Sequence, residues 1–109
     1  MTQCGSPMPG NRILVRIHPS MKQIVPEFLK NAREDVEALR MALEQSDYAT
    51  IARLGHSMKG AAGFGFDYLK EIGLSLEDTA RIKESRKIGT LVNNLEDYLN
   101  RVEPVYDPT

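Results

Sequence analysis

The chain has a single cysteine, Cys4, set in a glycine- and proline-rich start. A lone thiol excludes an internal disulfide, which suits a reducing compartment. Neither sign of charge dominates: the net charge is −1 with 27% charged residues, and a nucleic-acid partner, which needs a basic excess, is not expected. No apolar run is long enough to cross a bilayer, and no basic start leads into an apolar h-region. Neither membrane insertion nor secretion is therefore expected, and the cytoplasm is the default location. A glycine-rich nucleotide loop, a Walker lysine motif and an acidic cluster suited to magnesium are all missing, so the chain is not expected to use ATP itself. Two distant histidines, His18 and His56, and a tail cysteine make no zinc ligand set.

What the chain does have is helical periodicity. Its 109 residues suffice for one modest core and not for two. Met1 to Arg12, with Gly5, Pro7, Pro9 and Gly10, bury too little to offset ordering entropy and read as a flexible tail. Ile13-Leu14-Val15-Arg16-Ile17 is β-branched and brief; with no second strand in view, it is expected to lie as an extended arm against the helices. Ser20 is the expected cap of a short helix from Met21 to Val25, which stops before Pro26.

From Glu27 to about Gln45 the apolar residues Phe28, Leu29, Ala32, Val36, Leu39 and Leu43 recur every three or four positions. Ser46-Asp47 ends that helix and caps the next, from Tyr48 to about Gly63. Phe64-Gly65-Phe66 makes a turn, and Asp67 caps a third helix that turns Leu69, Ile72, Leu76 and Ala80 inward as far as about Lys83. The last helix runs from about Arg86 to Val102, with Ile88, Leu91, Leu95, Leu99 and Val102 inward, before Pro104 and Pro108 end regular structure. Phe28, Phe64 and Phe66 read as core or near-core packing, and Tyr98 and Tyr106 as partly buried rings with wet hydroxyls. The expected fold is all-α: an antiparallel four-helix bundle over 18–106, with a short extra N-terminal helix, a tail and arm over 1–17, and a C-terminal tail over 107–109.

The second long helix carries the candidate chemistry. At about 100° per residue, Ile51, Leu54, Gly55, Met58, Ala61 and Ala62 share one side, and His56 lies opposite, in solvent. Ala52, Lys59, Gly60 and Gly63 surround it, so no bulky side chain covers the ring. Each glycine inside a helix costs about 0.8–1 kcal/mol relative to alanine. Close helix packing accounts for Gly55, whereas Gly60 and Gly63 fit the close approach of a partner. Lys59 is a cation within reach of a phosphoryl or carboxylate group held at His56. An exposed imidazole with an ordinary pKa near 6.5 is largely neutral in the cell, so no adjacent general base is needed. A histidine taken alone is most often an ordinary surface residue; the neighbouring residues reverse that preference here. His18, beside Pro19 at a helix entrance, is given no role.

His56-Ser57-Met58-Lys59-Gly60, with an apolar-glycine-apolar step after it, resembles the signature of histidine phosphotransfer (HPt) domains. The resemblance runs from about Pro19 to Tyr106 and includes the preceding long amphipathic helix and the Gly65-Phe66-Asp67-x-Leu69 step. It implies a phosphorelay carrier, not an enzyme with its own nucleotide site. The phosphoryl group would come from a receiver-domain aspartate and pass to another receiver. It also implies that His56 is the phosphoacceptor, that Lys59 steadies the phosphoryl group and that Gly60 is kept small for docking. The implied partners are response-regulator receiver domains and a hybrid sensor histidine kinase, with magnesium on the receiver and no cofactor on this chain, which is expected to be a monomer. Gly65 falls one residue sooner after His56 than the family pattern has it, so the end of this helix is expected to be shorter or differently wound. Ile24, Val25 and Leu29 are a candidate apolar docking patch. Two rivals stay open at this point: an adaptor bundle whose histidine is never phosphorylated, and the phosphoacceptor domain of a chemotaxis-type kinase.

Overall fold

The computed structural model describes residues 11–106; the expectations for the N-terminal tail, Cys4 included, and for 107–109 lie outside that range, apart from Asn11 and Arg12. The elements in order are strand β1 (Ile13–Ile17), a 3-10 turn (Pro19–Met21), α1 (Val25–Glu44), α2 (Tyr48–Met58), a 3-10 segment (Lys59–Phe64), α3 (Asp67–Arg81), α4 (Ser85–Arg101) and strand β2 (Val102–Tyr106). The described residues are thus mostly helical, with four α-helices among them. α1 packs against α2 and α4, and α3 packs against the same two, so all four share one core.

That core follows the apolar stripes. Val25, Leu29, Ala32, Val36, Leu39 and Ala42 are buried on α1, and Ile51, Leu54 and Met58 on α2. Leu69, Ile72, Leu76 and Ala80 face them from α3, and Ile88, Val92, Leu95, Tyr98 and Leu99 from α4. Leu43 and Leu91 are only partly buried and pack against this core. Tyr98 is more deeply buried than its hydroxyl suggests. Burial, with Asp67 and Tyr68 adding to it, pushes its pKa up to about 12.

The ends of the chain depart from the all-α expectation. β1 is no free arm: it pairs in parallel with β2, Ile13 against Val102 through Ile17 against Tyr106. Pro104 therefore sits inside a strand instead of ending regular structure, which a two-stranded sheet tolerates because each strand keeps an outer edge that needs no donor. The pairing anchors Ile17 in the core. Val102, expected as the last inward helical residue, has left the helix and begins the strand.

Several caps also differ. His18, not Ser20, caps the first turn, its Nδ1 accepting from the Ser20 N–H at 3.1 Å. No separate helix runs from Met21 to Val25; α1 itself starts at Val25 and takes Pro26 into its first turn. Asp47 does cap α2, accepting from the Thr50 N–H at 3.2 Å and from the Thr50 hydroxyl at 2.6 Å. Asp67 is the first residue of α3 and not its cap, where its charge still suits the helix dipole.

Candidate functional site

The histidine helix is shorter than its periodicity suggests. α2 ends at Met58, and Lys59 to Phe64 wind as a 3-10 segment that closes on Gly65. Tighter winding, about 120° per residue against 100°, rotates Gly63 roughly a quarter turn from the place it would hold on a continuous α-helix. Gly65 ends the segment at φ 95°, in the left-handed region, and its N–H reaches the Ala62 carbonyl at 3.0 Å. Glycine is suited to that position for its backbone freedom alone. On either side of it Phe64 and Phe66 both meet Phe28 of α1, at centroid distances of 4.8 and 5.6 Å. These rings tie the end of the His56 segment to the core.

Two glycines set the spacing on the other side. A Cβ on Gly55 would stand 2.7 Å from the Gly73 carbonyl oxygen, and one on Gly73 only 2.5 Å from the Gly55 carbonyl oxygen. α2 and α3 therefore touch backbone to backbone, as the close-packing expectation for Gly55 required. His56 follows Gly55 directly, and Glu77 lies one turn beyond Gly73, so the same contact brings these two side chains together.

The geometry that results is compact. His56 is exposed, 68% at its side chain, and its Nδ1 lies 3.2 Å from Glu77 Oε2. Lys59 Nζ lies 3.1 Å from Oε1 of the same carboxylate, with its side chain 32% exposed. One carboxylate thus bridges the imidazole and the ammonium. Lys59, expected to reach a phosphoryl or carboxylate group beside His56, is held here by a carboxylate of the same chain. The Lys59 hydrogen bond, and then that of His56, pull the Glu77 carboxyl below its ordinary pKa, while partial desolvation opposes them. With Glu77 ionised, Nδ1 is the ring nitrogen that donates. In a neutral ring that tautomer puts the lone pair on Nε2, which has no hydrogen-bond partner among the described residues.

Around the ring the surface is low. A Cβ on Gly60 or on Gly63 would meet nothing within 4 Å, and both residues are exposed. No neighbour among the described residues demands glycine there. Beyond Glu77, a cleft of about 250 Å³ runs between α2 and α3, lined by Tyr48, Ala52, Ala80 and Arg81 among others. The docking patch expected from Ile24, Val25 and Leu29 does not form. Val25 and Leu29 are buried in the core, which leaves Ile24 alone at 50% exposure.

The structure brings His56, Lys59 and Gly60 into one surface region and adds a residue that sequence reasoning missed. Glu77 is one of several acidic residues along α3, and a carboxylate at helical spacing reads as solvated surface. The available signal was the pairing of two small residues on facing helices, Gly55 and Gly73, each followed within a turn by a titratable side chain.

A model of the Hpt domain family matches residues 23–104. The chain belongs to that family, whose members carry phosphoryl groups on histidine and work with receiver domains in phosphorelays. No curated protein and no solved structure matches the chain significantly.

Proposed function

We propose that this Hpt domain accepts a phosphoryl group on His56 from the aspartyl phosphate of one receiver domain and passes it to the aspartate of another. The observation that carries this reading is the exposed His56 ring, with Nδ1 on Glu77 and Nε2 without a hydrogen-bond partner among the described residues. Nε2 attacks phosphorus in line, the P–Nε2 bond forms as the P–O bond breaks, and the electron pair leaves on the donor carboxylate. Lys59 supplies positive charge beside the phosphoryl oxygens, and Gly60 keeps the approach low. Magnesium belongs to the receiver in this scheme.

The remaining parts of the reading are of one piece with this. The four helices form an antiparallel bundle, supported by the short links at Gln45–Asp47 and Ile82–Glu84 and by the ring of neighbouring helices. The domain acts as a monomer in the cytoplasm, meeting receivers and a hybrid sensor kinase; among the described residues no helix is long and apolar enough to cross a membrane.

The test is incubation with phosphorylated receiver domains, following radiolabel onto the wild type and onto His56→Ala. Label that is acid-labile, alkali-stable and absent from the variant is the expected result. Failure of every receiver to label the wild type rejects the carrier reading in favour of an adaptor. Labelling only by an ATP-loaded kinase domain, with no receiver present, would instead assign the chain to a kinase phosphoacceptor role.

A further inference from the structure

The bridging carboxylate has no part in the scheme above beyond orienting a ring, yet its position gives it two further levers on the phosphorylated state. We propose, resting on the carrier reading of His56, that Glu77 is a positioning residue that keeps phosphorylated His56 ready to give up its phosphoryl group, by holding the proton on Nδ1 and by competing with that group for Lys59.

The first lever is the ring proton. After attack through Nε2 the ring retains its Nδ1 proton and is cationic, and an anion 3.2 Å from Nδ1 favours that form. When an acceptor then attacks phosphorus, the P–Nε2 bond breaks and the ring leaves as neutral imidazole. A ring that had lost its Nδ1 proton would have to leave as imidazolate, a far stronger base and a poorer leaving group. The second lever is Lys59. Its ammonium sits on Glu77 Oε1 at 3.1 Å, so whatever time it spends there is withheld from the phosphoryl oxygens. Both effects shorten the life of the phosphohistidine.

Other charged side chains near this face make no contact with the ring among the described residues. Arg81 of α3, at the border of the cleft, pairs with Asp78 at 3.3 Å. Arg53, one turn before His56, is exposed, and its charge is only a minor influence on the carboxyls of Asp35 on α1 and of Asp47. Among the described residues Glu77 and Lys59 are thus the charged groups in contact with the ring or with each other beside it.

Phosphoramidate tests this without a receiver, because it can phosphorylate His56 directly, its P–N bond breaking as ammonia leaves. The full chain, Glu77→Gln, Glu77→Asp and the control Asp78→Asn are phosphorylated, and loss of the phosphohistidine signal is followed by phosphorus NMR from about pH 6 to about pH 9. Glu77→Gln is expected to lengthen the half-life roughly threefold to tenfold and to move the midpoint of the pH profile down by up to about one unit, tenfold in proton affinity. Glu77→Asp, which keeps the charge, returns most of the wild-type lability, and Asp78→Asn matches the wild type. Nitrogen NMR of the unphosphorylated protein is expected to show the Nδ1–H form of His56 dominant in the wild type and reduced in Glu77→Gln. Equal half-lives and midpoints for wild type and Glu77→Gln, or equal effects of Gln and Asp, overturn the proposal while leaving the carrier reading intact. If neither phosphoramidate nor any receiver phosphorylates wild-type His56, the carrier reading fails and the proposal falls with it.

Discussion

Replacing Gly73 by alanine probes the contact that assembles the site. The new Cβ would stand 2.5 Å from the Gly55 carbonyl oxygen, 2.8 Å from Met58 Cβ and 3.3 Å from the Lys59 backbone nitrogen. Two of these three atoms are backbone, which cannot swing aside as a side-chain tip can, so α2 and α3 must part. Overpacking a tight contact costs about 1–3 kcal/mol, and a clash this short with backbone belongs at the upper end. The added methyl returns about 1 kcal/mol in helix propensity, leaving a net loss of about 2 kcal/mol. In a domain of this size each kcal/mol moves Tm by about 4–8 °C, so a fall of roughly 8–16 °C is expected. Gly60→Ala is the matched control, since its Cβ meets nothing within 4 Å and should leave Tm unchanged or raised. Thermal and urea unfolding followed by circular dichroism compare the three proteins. A Gly73→Ala protein as stable as Gly60→Ala would refute the claim that the two-glycine contact sets the helix spacing.

Three further expectations use the same structure. Lys59→Gln should shorten the phosphohistidine half-life or slow transfer, with Lys59→Arg affected less; equal kinetics in all three proteins would reject a charge-dependent role for Lys59. Asp47 is held below its ordinary pKa of 3.8 by its two bonds from Thr50. Its contribution is therefore present above that value and lost as pH falls through the lowered one. Asp47→Ala should lower Tm at neutral pH and by less in strong acid, and a pH-independent difference would count against the cap. Tyr98, raised from 10.0 to about 12, holds its proton in the fold after the unfolded chain has released it. Stability should thus decline between those two values as pH rises, and Tyr98→Phe should flatten that decline in an alkaline urea series.

The helices were legible because burial follows their periodicity: Leu29, Ala32, Val36 and Leu39 recur as a stripe, and the stripe is what packs. His56 was legible for the complementary reason, standing opposite such a stripe among small residues. The β1–β2 pair was not, because Val102-Glu103-Pro104-Val105-Tyr106 lacks clean alternation and contains a proline, and its partner lies at the far end of the chain. The winding after Met58 was legible only in part: the early Gly65 pointed to a shorter or differently wound end, without showing where the α-helix stops. Its apolar residues keep a helical order that does not distinguish α from 3-10, and only the φ of 95° at Gly65 and the rings on Phe28 show where the segment must close.

Order along one helix is a local property, so the sequence by itself determined the helical stripes, the exposed histidine and the Lys59-Gly60 step beside it. The company that histidine keeps is not local. Gly55 and Gly73 lie on different helices, and only their backbone contact places Glu77 against both His56 and Lys59. Tertiary structure alone decided that the ammonium is shared and the ring is oriented, because the distance between two side chains on facing helices depends on how closely those helices approach.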